Sequence, residues 1–299
     1  INTLTGNIFA AGGNLILDNA GGGTSSLAAQ NATLGVNNQG GNFLFGQNIV
    51  SATIGGLSGA GFLNLTNSNL TTPSAVTLTF GPPAGVTDVF SGILSGNGGL
   101  VINGPGEQVL SGPSTFTGGV ILNGGTLSIG NTTALGVNST FVINFGDLDA
   151  PVGNTAMATM PITLNTSLLN FDGTGNLNLG SGNLTFGTQD FNVNVANNTL
   201  TLAGVLIGTG NLGKSGNGTL VLAANNSNTS TTHLNAVIIA GGTLAINVNV
   251  GGVFTTGNST TNGPILALGS NPTTRPTNSI ELTNNATLSI TGNNSIPTL

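Results

Sequence analysis

The chain has 299 residues, of which 3% are charged, 38% are hydrophobic and 50 are glycine, and it carries a formal charge of −6. There is no cysteine, tryptophan or tyrosine, and Lys214 and Arg275 are the only lysine and arginine. This excludes a disulfide framework and thiolate chemistry, and it leaves no residues for phosphate contact or base stacking, so nucleic acid is not a partner. Glycine without a three-residue period rules out collagen, and recurrent apolar bursts rule out a disordered linker.

Taken in order, Ile1 to Asn48 predicts short strands at Asn14–Leu17 and Asn42–Phe45, separated by glycine runs. In Ala75–Phe80, Val76, Leu78 and Phe80 alternate with threonines, and Gly81-Pro82-Pro83 ends the strand because proline lacks the N–H a ladder needs. From Gly92 to Gly130 the bursts Leu100-Val101-Ile102, Val109-Leu110, Val120-Ile121-Leu122 and Leu127-Ser128-Ile129 are closed by a glycine pair, a glycine next to proline or, after Ile129, Gly130-Asn131, and a strand Thr140–Phe145 follows. Asp147–Pro151 and Met157–Pro161 read as a loop projecting from the stack. Strands resume at Leu168–Phe171, Leu177–Leu179, Leu184–Phe186 and Phe191–Val195. Polar insertions are expected at Asn225–Thr232 and Gly251–Pro264, and Ser279–Leu282 and Ala286–Ile290 supply two last strands. No burst is long enough for a helix or a membrane-spanning helix, and no signal segment or C-terminal barrel is recognisable.

The chain repeats itself. Leu94-Ser95-Gly96-Asn97-Gly98-Gly99-Leu100 recurs at Leu57–Leu63 and Leu206–Leu212, and Gly124-Gly125-Thr126-Leu127 recurs at Gly241-Gly242-Thr243-Leu244. The steps of 37 and 112 residues between copies suggest a regular array, in which a unit that cannot bury its own apolar face stacks on a copy of itself. Leu-Ser-Gly, Thr-Phe-Thr-Gly-Gly, a strand, Asn-Gly-Gly-Thr-Leu and Gly-Asn together resemble the strand repeat associated with autotransporter passenger domains, closely over 92–136 and more loosely over 204–246. The remainder is similar in composition to rickettsial-type surface antigens. The resemblance implies a right-handed parallel β-helix displayed outside a Gram-negative cell. Such passengers include adhesins, structural coats and carriers of enzyme domains.

The expected fold is therefore all-β: a parallel β-helix, or β-solenoid, as a single elongated repeat domain over 1–299, with about thirteen coils if each takes roughly 22 residues. A sandwich or a propeller ranks lower, because the turns lack the regularity of a meander. Val76, Leu78, Leu100, Ile102, Val120, Leu122, Leu127, Ile129, Leu220, Leu222, Leu244 and Ile246 are the expected core. Stacked coils lie about 4.8 Å apart, so a repeated charge would face its own copy, whereas Asn and Thr can bond along the stack.

No catalytic, cofactor-binding or metal-binding residue is nominated. His233 is the only histidine and reads as an exposed loop side chain. Asp147 and Asp149 point the same way on a strand and suit a cation, but a solvated loop explains them equally. Lys214 reads as a solvated turn residue. Asn-x-Ser/Thr triplets at Asn31, Asn64, Asn131, Asn138 and Asn217 arise by chance in so Asn-rich a chain. The functional expectation is a non-enzymatic extracellular structural protein, secreted or at the cell surface. Neither end shows a capping pattern, so the first reading is a self-assembling fibre subunit or coat whose terminal coils pair head to tail. A monomeric passenger acting as an adhesin on host or neighbouring cells is the alternative, and a carbohydrate-active β-helix enzyme ranks third. No cofactor and no membrane insertion of this segment are expected.

Overall fold

The computed structural model describes residues 4–19, 21–37, 40–224, 237–247, 280–282 and 287–291. It is all-β with no helix, its parallel strands stacked as a β-solenoid of about ten turns. The chain divides into two compact units, residues 1–147 and 148–299. The only antiparallel contact among the described residues is an isolated bridge between Thr66 and Ala75. Parallel pairing throughout excludes the sandwich and propeller alternatives, which need antiparallel neighbours.

In the first unit the alternation read from the sequence becomes columns of identical chemistry. Leu78, Leu100 and Val120 lie in register on the strands Thr77–Phe80, Leu100–Ile102 and Val120–Ile129, and Phe80, Ile102 and Leu122 form the next column. On an adjoining face Phe90, Leu110 and Ile129 stack in the same way. All nine side chains are buried. Fully burying a side chain of this size contributes about 1.5–3 kcal/mol, so these columns supply the main drive to fold.

The pair Gly124-Gly125, expected to close a burst, instead lies inside one continuous strand, Val120–Ile129. This strand pairs through residues 120–122 with Leu100–Ile102 and through residues 126–129 with Glu107–Leu110. It therefore turns the solenoid corner without stopping. Gly125 makes the bend at φ +68°, and a Cβ there would collide with the carbonyl oxygens of Gly104 and Gly106. Gly242 repeats this geometry in the second unit at φ +64°, facing the carbonyls of Gly216 and Gly218. The sequence match between Gly124–Leu127 and Gly241–Leu244 is thus a match of corners.

In the second unit a six-stranded sheet comprises Asn154–Ala156, Asn176–Asn178, Thr199–Leu202, Thr219–Leu222, Thr243–Asn247 and Thr287–Thr291. Leu177, Leu200, Leu220 and Leu244 form its buried column. On another face Leu169, Val193, Lys214 and Ile239 share one row. The Phe186 and Phe191 rings pack with centroids 4.3 Å apart.

Every expected core residue whose side chain is described is buried; Ile246 lies outside the described side chains. Three further expectations change. The turns number about ten, because in-register partners are not always one 22-residue step apart: Leu244 pairs with Leu288. The 37-residue step is not a coil period either, since Leu57 pairs with Leu34, and Leu94 with Leu63. Finally, Asp147–Pro151 does not project. Asp147 and Asp149 belong to the strand Phe141–Asp149, and Leu148, Asp149, Ala150, Met157 and Met160 are all buried. Burial of the apolar members of both segments outweighs the loop character of their prolines and acids.

Candidate functional site

Alternation along each strand leaves one outward residue per coil over the same residue of the next, and at many of these positions the sequence places amides and hydroxyls. They bond across coils as expected: Asn42 Nδ2 to Asn14 Oδ1 at 3.1 Å, Asn144 Nδ2 to Asn123 Oδ1 at 2.7 Å, Asn176 Nδ2 to Asn154 Oδ1 at 2.6 Å and Asn194 Nδ2 to Asn170 Oδ1 at 3.2 Å. Hydroxyls do the same, with Ser25 and Ser51 2.7 Å apart and Thr159 and Ser181 also 2.7 Å apart. Each such bond contributes about 0.5–1.5 kcal/mol net and fixes the spacing of the polar groups on the surface. The six-stranded sheet extends this pattern through Asn154, Asn176, Thr199, Thr219 and Thr243, with Thr199 N–H donating to Asn176 Oδ1 at 2.9 Å. Its strands carry no charged residue.

Several carboxylates accept hydrogen bonds from the frame itself. Asp149 Oδ1 accepts from Thr174 N–H at 2.7 Å, Asp190 accepts from Asn211 N–H at 2.8 Å and Asn211 Nδ2 at 3.1 Å, and Glu107 Oε2 accepts from Thr87 Oγ1 at 3.0 Å. Asp88 accepts from Thr33 Oγ1 at 3.1 Å, and burial pushes its carboxyl above the usual carboxylate range. Among the described residues no three His, Cys, Asp or Glu side chains gather to hold a metal ion. Asp149 is buried and acts as an acceptor for a turn, which is a structural use. His233 and the expected insertions at 225–232 and 251–264 lie outside the described residues.

Lys214 overturns its expected role. It is fully buried on the strand Leu212–Ser215, pointing inward like Leu212. Its Nζ donates to three carbonyls, Ser215 O at 2.6 Å, Gly216 O at 2.9 Å and Gly241 O at 3.1 Å. Burial pushes its ammonium down to about 8. The signal was present in the repeat: counting on from the match of Leu206–Leu212 to Leu94–Leu100 sets Lys214 at the place of Ile102, an inward core position. Gln108 was missed for the same reason. It alternates inward with Leu110, is fully buried, and brackets Leu57 by accepting from its N–H at 3.2 Å and donating to its C=O at 2.8 Å.

The described residues thus form a solenoid with neutral outward ladders and several carboxylates hydrogen-bonded within the frame. The chain is similar to an autotransporter adhesin. The relative is the Adhesin BmaC autotransporter of Brucella suis biovar 1 (strain 1330), 30% identical over 257 residues. The match covers 78% of this chain and only 7% of that protein, so the chain spans a small part of the adhesin's length. No family model matches the chain, and no solved structure matches it. The match to the adhesin agrees with the passenger-type resemblance and with the parallel solenoid.

Proposed function

We propose that this chain is a stretch of a surface-displayed autotransporter passenger and that it acts in adhesion, without catalysis. The similarity to an autotransporter adhesin over 78% of the chain carries this reading. The solenoid supports it, because hydrogen-bonded outward ladders hold polar groups at a fixed spacing on a rigid frame, as a contact surface requires. The use of Asp88, Glu107 and Asp149 as acceptors for groups of the solenoid itself supports a non-enzymatic role. The location that follows is the outer surface of a Gram-negative cell or the medium around it.

The test uses beads coated with the purified chain on epithelial monolayers and on immobilised bacteria. Retention above that of beads coated with an unrelated β-solenoid is the expected result, and retention equal to that control would remove the adhesin reading. Head-to-tail fibre formation is the second reading, favoured by the near absence of charge on the outward strands, since charge is what normally keeps parallel β-structures apart. Electron microscopy over a range of protein concentrations separates the two, because filaments lengthen with concentration and a monomeric adhesin does not.

A further inference from the structure

One outward row of the second unit is broken by a missing side chain. Leu168, Asn192, Gly213 and Ile238 are in register on four successive strands. Leu168 is 41% and Ile238 39% exposed, and between Asn192 and Ile238 the row has only the backbone of Gly213. The gap opens a surface groove of about 370 Å³ that also includes Ser167, Asp190, Asn211 and Ala240 in its lining. That volume lies at the small end of ligand sites.

We propose that this groove binds a neutral sugar ring, one residue of a glycan. The apolar wall of Ile238 and the flat Gly213 backbone suit the C–H face of a pyranose, and Asp190, Asn192 and Asn211 supply polar groups on the same lining. Asp190 is the acceptor: each carboxylate oxygen takes one bond from Asn211, at 2.8 and 3.1 Å, which fixes its orientation and leaves lone pairs for two neighbouring hydroxyls. Asn192 is the donor, since its Oδ1 already accepts a long bond from Ser215 Oγ at 3.4 Å and its amide nitrogen remains for the ligand. The charge balance selects the class. Among the described residues Asp190 is the exposed charged side chain at the groove; Lys214 also lines it, but its ammonium is buried and held by the carbonyls of Ser215, Gly216 and Gly241. A carboxylated or sulfated sugar would meet the Asp190 carboxylate, with the buried Lys214 ammonium already engaged by backbone carbonyls, so neutral sugars are favoured over acidic ones.

This inference deepens the adhesion reading and rests on it for its biological meaning, but it is tested without cells. The purified chain is titrated with neutral methyl glycosides of gluco, galacto and manno configuration and with a methyl glucuronide, following ligand saturation transfer and the side-chain amide signals of Asn192 and Asn211. Saturation transfer and shifts of both amides by a neutral glycoside, with a weaker response to the glucuronide, are expected. Gly213→Val fills the groove, since a Cβ at Gly213 comes within 3.1 Å of Asn192 Oδ1, and should weaken binding roughly tenfold or more. Asp190→Asn keeps the shape and should weaken it by about tenfold through the lost charge-assisted acceptor. No shift with any neutral glycoside at tens of millimolar, equal binding of the glucuronide, or binding unchanged in both variants would each overturn the proposal. Bead retention that persists while sugar binding fails would overturn the groove and leave adhesion standing.

Discussion

The buried ammonium of Lys214 makes an unusual pH dependence measurable. In the unfolded chain this lysine keeps its proton up to about 10.5, whereas in the folded chain burial brings the value down to about 8. Between those values the unfolded state binds more protons, so stability must rise with pH, and below 8 the folded state carries the full cost of a desolvated charge. At about 1.4 kcal/mol per pH unit of displacement the gain over this window approaches about 3 kcal/mol. The chain is well suited to the experiment because it has no tyrosine or cysteine and no second lysine, so no other side chain titrates there. Urea unfolding followed by circular dichroism at pH 7.5, 9 and 10.5 measures the effect. Wild type should gain stability along the series, and Lys214→Met should be flat, any α-amino contribution being common to both. A wild type whose stability is flat or falls over this range, or a variant that rises equally, would refute the argument.

Gln108→Leu strands the Leu57 N–H and C=O that the side chain brackets, and it should cost about 2–4 kcal/mol in urea unfolding despite the added apolar surface. The two corner glycines should separate cleanly in thermal melts. Gly125→Ala meets backbone oxygens at positive φ and should lose several kcal/mol, whereas Gly124→Ala, whose nearest atom is 3.7 Å away, should stay within about 1 kcal/mol of wild type. Asp149→Ala removes the acceptor of Thr174 N–H and should cost about 1–3 kcal/mol, and added calcium should leave the melting temperature of wild type and variant alike unchanged. A calcium-dependent rise in wild type alone would restore the cation role considered for Asp149.

The fold was legible because a solenoid writes its geometry locally. Alternation at Leu100–Ile102 or Phe191–Val195 fixes which side chains face inward, and glycines mark where the chain bends. Register was less legible. It depends on partners some 20 or more residues away, so similar words such as Leu57–Leu63 and Leu94–Leu100 suggested a period that the pairing does not follow. Residue chemistry misled where it overrode position. Lys214 reads as a solvated turn residue and Gln108 draws no reading, although the alternation around each points inward, and their polar atoms are satisfied by backbone groups that no pattern of side chains reveals. The groove depends on a side chain that is absent, and Gly213 stands out only when its neighbours on adjacent coils are known.

The pairing of Leu244 with Leu288, and of Val237 with Ile280, bears on how such a chain can change. Each strand binds the strand below it through backbone groups and one inward column, so the length of chain between two partners is not fixed by the contacts they make. A segment added at a corner alters the path and leaves the ladder intact, at a loop-closure cost that grows only with the logarithm of its length. The coil is thus a filing system in which new material is inserted between existing pages. Surface variation can accumulate at the corners while the leucine columns hold the frame constant.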